Sequence, residues 1–75
     1  MRMTPQVLQL LNGGDMACAF REWDRLARIC DQMRAVVQVE SVAEKARTIA
    51  GEASQRSDTA RHMWAELATS LRHLD

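Results

Sequence analysis

The sequence predicts an all-α fold: a helical hairpin of two long antiparallel helices, preceded by a short N-terminal helix. Three observations predict it. An Asn-Gly-Gly turn lies near the start, two long runs follow in which apolar residues recur at alternating spacings of three and four, and a β-branched stretch separates the runs. This alternation is a heptad pattern, so a coiled-coil-like seam is expected between the long helices. At 75 residues, the chain is expected to form one domain over 1–75.

The short first helix is predicted over 5–11. Thr4 can cap the free amides of a first turn, and Pro5 lacks an amide donor, which costs nothing there. The Asn12-Gly13-Gly14 segment that follows tolerates positive φ, and Asp15 offers a carboxylate cap to the next helix. A turn at 12–14 is therefore expected.

The second helix is predicted over about 15–37, with charged residues opposite the apolar seam. The seam residues are Met16, Ala19, Trp23, Leu26, Cys30, Met33 and Val37. One continuous helix would hold Cys18 and Cys30 about 18 Å apart, too far for a disulfide. Two reduced thiols are expected.

The third helix is predicted over about 42–74, after a reversal at 38–41. β-Branched residues weaken helix preference there, and Ser41 and Glu44 have the spacing of a capping box. The seam residues are Ala46, Ala50, Ala53, Ser57, Ala60, Trp64, Leu67, Leu71 and Leu74. Continuity through 54–58 is expected. Two alternatives remain: a single rod from residue 15 onward, or a separate final helix capped by Ser57 or Asp58.

No motif of catalysis or metal binding stands out. Acidic and imidazole side chains recur along one face of the last helix, at Asp58, His62, Glu66 and His73. One stripe does not converge on a metal ion, so a solvated face is expected. A pair of His62 with either cysteine lacks an orienting acid. We therefore expect that the chain is not an enzyme and that it binds no cofactor and no metal.

Charge and hydropathy bear on nucleic acid and membranes. The formal net charge is zero, and Glu22 and Asp24 accompany the stripe of Arg21, Arg25 and Arg28, so nucleic-acid binding is not favoured. A small dimeric DNA-binding transcriptional regulator that uses this stripe is the alternative function. No apolar run approaches the roughly 20 residues of a membrane span, so a cytoplasmic protein is expected.

Spare apolar surface indicates a protein partner. Six residues lie beside the seams or at the tip of the hairpin: Phe20, Ala27, Ile49, Met63, Val36 and Val39. The alternative is that the first helix covers the flanks and that loop packing covers the valines. Because small helical scaffolds gain stability by association, we expect a homodimer. The expected function is a non-enzymatic protein-binding module, such as a small chaperone, adaptor or inhibitor.

Overall fold

In a computed structural model, which describes residues 3–73, the chain forms four α-helices of similar length. They are α1 (Pro5–Ala19), α2 (Trp23–Val36), α3 (Glu40–Ser54) and α4 (Thr59–Arg72). The described residues contain no β-strand. The all-α prediction is confirmed, whereas the hairpin of two long helices with a short first helix is wrong.

Helix α1 begins as the sequence predicts but does not end at residue 11. The Thr4 side chain accepts a hydrogen bond from the Val7 amide at 3.2 Å, and Pro5 occupies the first turn. The helix then continues through Gly13 and Gly14, so the turn predicted at 12–14 is wrong. Both glycines face close neighbours, and this packing outweighs the roughly 1 kcal/mol that each glycine costs inside a helix.

The first break comes at the end of α1 and interrupts the helix predicted over 15–37. The Glu22 amide donates to the Ala17 carbonyl at 2.8 Å, and the Arg21 amide donates to the Cys18 carbonyl at 3.2 Å. These two bonds form a Schellman motif, and Arg21 takes its left-handed position with φ of 54°. Asp15 therefore lies inside α1 and caps no helix.

A second Schellman motif ends α3 and breaks the helix predicted over 42–74. The amides of Ser57 and Arg56 donate to the carbonyls of Glu52 and Ala53 at 3.1 and 3.0 Å, and φ of Arg56 is 55°. The prediction of continuity through 54–58 is wrong. The alternative is what the structure shows, since the Ser57 hydroxyl accepts from the Thr59 amide at 3.2 Å. Leu74, the last predicted seam residue, lies outside the described residues.

The reversal between α2 and α3 occupies residues 37–39, close to the prediction at 38–41. The predicted capping box is wrong, because α3 begins at Glu40 with Val39 at its N-cap position and no side-chain cap. Val37 is buried in this connection, so its apolar side chain helps to anchor the reversal.

The two halves of the chain have matching architecture. Each is a helix of 15 residues, a Schellman turn with a left-handed arginine, and a helix of 14 residues. The two arginines, at positions 21 and 56, are 35 positions apart. Buried positions of α1 and α3 are related by the same interval, pairing Val7 with Val42, Leu11 with Ala46, Gly14 with Ile49 and Cys18 with Ala53.

The four helices close into a ring in which each packs against two neighbours. α2 lies between α1 and α3, and α4 lies between α3 and α1. Most residues of the predicted seams point into this shared core. They include Leu26, Cys30, Met33, Ala46, Ala53, Ala60, Trp64, Leu67 and Leu71. One chain thus completes by itself the four-helix core that two hairpins would otherwise share.

Candidate functional site

Helix α1 has an unusual solvent-facing surface, because Asp15 is its one charged residue. The other three helices each carry at least three Asp, Glu, Lys or Arg residues. An amphipathic helix on a closed core normally turns a charged face to water. Apart from Asp15, the outside of α1 is instead built from uncharged polar and apolar side chains.

Among residues 3–73, three of the four exposed large hydrophobic residues lie on α1 or directly after it. The exposed fractions are 43% for Leu8, 51% for Met16 and 70% for Phe20, the residue that follows the helix. With Asn12 they follow one another at intervals of four, so they form a continuous row along the helix. We call Leu8, Asn12, Met16 and Phe20 the α1 row. Over its twelve-residue span the row is about 18 Å long.

A polar network fixes α1 against α4 beside this row. The indole nitrogen of Trp64 donates to Asp15 Oδ1 at 2.9 Å. Arg72 contacts Asp15 Oδ2 at 2.8 Å and donates to Asn12 Oδ1 at 3.1 Å. The single charge of α1 is thereby paired within the chain, and the α1 row is held at a fixed position on the bundle.

The six partner-binding residues predicted from sequence do not form one surface. Phe20 and Val39 are exposed but belong to different connections, at opposite ends of α2. Ala27, Val36 and Met63 are half-buried against the core. The expectation that Ile49 belongs to an exposed flank is wrong, because Ile49 is fully buried between α3 and its neighbours.

Met63 and Ile49 do meet in a small cavity between α3 and α4. Its volume is about 140 Å³, and its lining is completed by Lys45, Glu66 and Leu67. Drug-sized ligands occupy pockets of roughly 300–1,000 Å³, so this cavity is too small to enclose one.

The arginine stripe predicted on one helix face is divided by the fold. Arg21 lies in the turn after α1, whereas Arg25 and Arg28 lie on α2. Arg25 is paired with Glu22 at 3.1 Å. Arg56, from the turn after α3, lines the same concavity as these three arginines, a neighbour that sequence periodicity did not reveal.

The two cysteines lie on different helices, α1 and α2, and not on one helix as predicted. Both are free and buried. Burial, with a contribution from the Asp15 carboxylate, raises the pKa of Cys18 to about 11. Burial also raises the pKa of Cys30 to about 12, assisted by Asp31. Both thiols are protonated at neutral pH, which disfavours nucleophilic chemistry.

The acidic and imidazole stripe of α4 forms no convergent group. Asp58, the N-cap residue of α4, lies 3.8 Å from the guanidinium group of Arg61 in the first turn of that helix. Among residues 3–73, no three His, Cys, Asp or Glu side chains come together as a metal site would require. In the same part of the chain, no helix is long and apolar enough to cross a membrane.

Comparison of the chain with protein-family models, with curated proteins and with solved structures finds no match. The candidate functional surface therefore follows from the geometry and chemistry of the chain itself, and the α1 row is the surface that stands out.

Proposed function

We propose that the chain is a non-enzymatic protein-binding module, a small cytoplasmic chaperone, adaptor or inhibitor, that contacts its partner through the α1 row. The observation that carries this proposal is the combination of exposed Phe20 and Met16 with the near absence of charge on α1. The cores of protein interfaces are depleted in charged residues and enriched in aromatic residues and methionine. Phe20, at 70% exposure, is the anchor residue.

The core of the bundle does not need these side chains. Leu11, Ala17 and Cys18 face inward from α1, and the remaining helices close the ring. Phe20 and Met16 lie outside that core, and more than half of each side chain is exposed to water. Burial of such apolar area by a partner would be favourable by about 25 cal/mol for each Å² removed from water.

When no other partner is present, the occupant we propose is a second copy of the chain. A two-fold axis that passes near the middle of the α1 row would place Phe20 against Leu8 of the second copy. The i, i+4 spacing of the row provides ridges that interdigitate with an identical helix. The association is smaller than the dimer of hairpins expected from the sequence, since each chain closes its own core.

The DNA-binding alternative has less support. Arg25, Arg34 and Arg61 each lie within 4.0 Å of a carboxylate on the same helix or at its start. Binding to a duplex depends on several uncompensated cations along its phosphates. Within residues 3–73, five cations lack such a partner, but they are divided between two helices and two turns and do not follow one helix face.

Sedimentation equilibrium of the wild-type chain and of Phe20→Glu tests the proposal. We expect a concentration-dependent dimer for the wild type and a folded monomer for Phe20→Glu, because burial of an unpaired carboxylate is costly. Val39→Glu is the matched control, since it places the same charge on an exposed hydrophobic residue away from the row. A wild-type monomer of 8.5 kDa at high micromolar concentration, or dissociation by Val39→Glu alone, would contradict it.

A further inference from the structure

The structure brings the two left-handed arginines to one place. Arg21 follows α1 and Arg56 follows α3, yet both line one concavity at the same end of the bundle. The concavity has a volume of about 420 Å³, and its other lining residues come from the start of α2. They are Glu22, Trp23, Asp24, Arg25 and Arg28.

The charge of this concavity is positive although the whole chain is neutral. Four arginines and two acidic residues line it, and Glu22 is already paired with Arg25 at 3.1 Å. Within residues 3–73, Arg21, Arg28 and Arg56 have no carboxylate oxygen within 4.0 Å. Their guanidinium groups are therefore available to an anion from solution. Guanidinium is suited to phosphate because it offers paired donors.

Two further groups favour an anion at this point. Helix α2 begins here, and its N-cap residue, Glu22, makes no side-chain hydrogen bond to the first-turn amides. Such amides and the helix dipole favour negative charge, which Asp24 in the first turn supplies in part. Trp23 adds a half-buried apolar wall beside the cations, which suits an organic group next to the charged one.

We propose that this concavity binds a phosphate monoester, with Arg21, Arg28 and Arg56 as the anion-binding residues and Trp23 in contact with the organic group. The site is distinct from the α1 row, so the inference goes beyond the proposed protein-binding function. A monoester carries close to two negative charges at neutral pH, which matches the excess of two cations over acids in the lining. The volume suits one phosphorylated group. The concavity is far too short to hold a nucleic-acid duplex.

Titration followed by ¹⁵N–¹H NMR tests the site in the intact chain. The probes are inorganic phosphate, phenyl phosphate and adenosine monophosphate, with phenyl acetate as an uncharged probe of the same ring. We expect phenyl phosphate at millimolar concentration to shift the amides of residues 21–25 and 56, and phenyl acetate to leave them in place. Affinity should fall as salt concentration rises.

The three phosphate probes separate the sources of the anion. Tighter binding of the two monoesters than of inorganic phosphate supports the contact with Trp23 that we propose. Equal affinity for all three probes would contradict the contact with Trp23 and would indicate a site for inorganic phosphate alone. The absence of a shift with all three phosphate probes would overturn the whole proposal.

Arginine variants assign the anion to these residues. We expect Arg21→Ala and Arg56→Ala each to weaken phenyl phosphate binding about tenfold, the loss of one charged hydrogen bond. Arg34→Ala is the matched control, since Arg34 is an exposed α2 arginine paired with Asp31 outside the concavity. Because Arg28 lies in a regular helix, Arg28→Ala provides an independent test of the site if Arg21→Ala or Arg56→Ala fails to fold. Unchanged affinity in Arg28→Ala would contradict the assignment.

Discussion

Gly14 lies directly against the indole ring of Trp64, and a Cβ atom at Gly14 would overlap that ring. This contact lets α1 approach α4 closely enough for Asp15 to accept the indole N–H. The cost of glycine inside a helix is thus offset by the burial of a tryptophan that is only 1% exposed.

We predict that Gly14→Ala destabilises the fold by about 2–3 kcal/mol, because the indole ring must be displaced from a close-packed core. Gly51→Ala is the matched control: Gly51 also lies in a helix, but a Cβ there meets nothing within 4 Å. That control should gain roughly 0.5–1 kcal/mol. Urea unfolding followed by circular dichroism measures the midpoint of each variant. Equal changes of the midpoint in the two variants would contradict the assigned role of Gly14.

The Asp15 network gives a second prediction. Asp15→Ala leaves the buried indole N–H of Trp64 without its acceptor and should cost about 1–3 kcal/mol. Arg72→Ala removes a partly exposed ion pair from the same carboxylate and should cost at most about 1 kcal/mol. Urea unfolding of both variants measures the difference. A larger loss of unfolding free energy in Arg72→Ala than in Asp15→Ala would show that the ion pair, and not the indole hydrogen bond, is the main polar contact between α1 and α4.

The buried thiols predict a loss of stability at alkaline pH. The unfolded chain releases thiol protons near pH 9, whereas the folded pKa values are about 11 for Cys18 and about 12 for Cys30. Their stabilising contribution is complete below pH 9 and disappears as pH rises through 11 and 12. The sequence has no tyrosine and a single lysine, Lys45.

We therefore expect the urea midpoint of the wild type to fall more steeply between pH 9 and pH 11 than that of the Cys18→Ala, Cys30→Ala double variant. The comparison concerns the slopes, because the double variant also changes packing. Lys45 is common to both proteins and serves as an internal control. Parallel pH profiles would mean that the thiols are not held protonated by the fold.

The left-handed arginines give a fourth prediction. For residues other than glycine, the left-handed conformation costs roughly 1–2 kcal/mol of folding free energy. Substitution by glycine removes this cost, but it also raises the conformational entropy of the unfolded chain, which offsets part of the gain. Arg21→Gly and Arg56→Gly should therefore each stabilise the fold by about 0.5–1 kcal/mol. Arg21→Ala and Arg56→Ala are the controls, because they remove the same charge but keep the cost of the left-handed backbone conformation. Thermal unfolding that ranks alanine above glycine would contradict the strained geometry.

Local sequence signals predicted the helical content, the start of α1 and the position of the central reversal. Thr4, Pro5 and the valine-rich stretch act through neighbouring backbone, so a linear reading captures them. The heptad pattern correctly selected Leu26, Met33, Trp64 and Leu71 as core residues. It did not reveal that two breaks divide the long runs, because a turn of three or four residues barely disturbs the periodicity.

The errors have a common physical cause. Gly13 and Gly14 resemble a turn in sequence, but tertiary packing against Ile29 and Trp64 keeps them helical. Arg21 and Arg56 do not resemble helix stops, yet the chain places both in the conformation that usually selects glycine. The α1 row did have a signal, since the segment from Thr4 to Gly14 contains no charged residue. That signal concerns composition and is missed by a search for periodicity.

The ring of helices also constrains how the chain can fold. Three of the four packed helix pairs are consecutive in sequence, and α1 with α4 is the one pair that is not. Contacts between consecutive helices close short loops and favour rapid folding, whereas the α1–α4 contact must enclose the two helices between them. We therefore expect the contact between Gly14 and Trp64 to form in the latest step of assembly. A defect there would act mainly on the rate of unfolding, and each hairpin would still begin to form on its own.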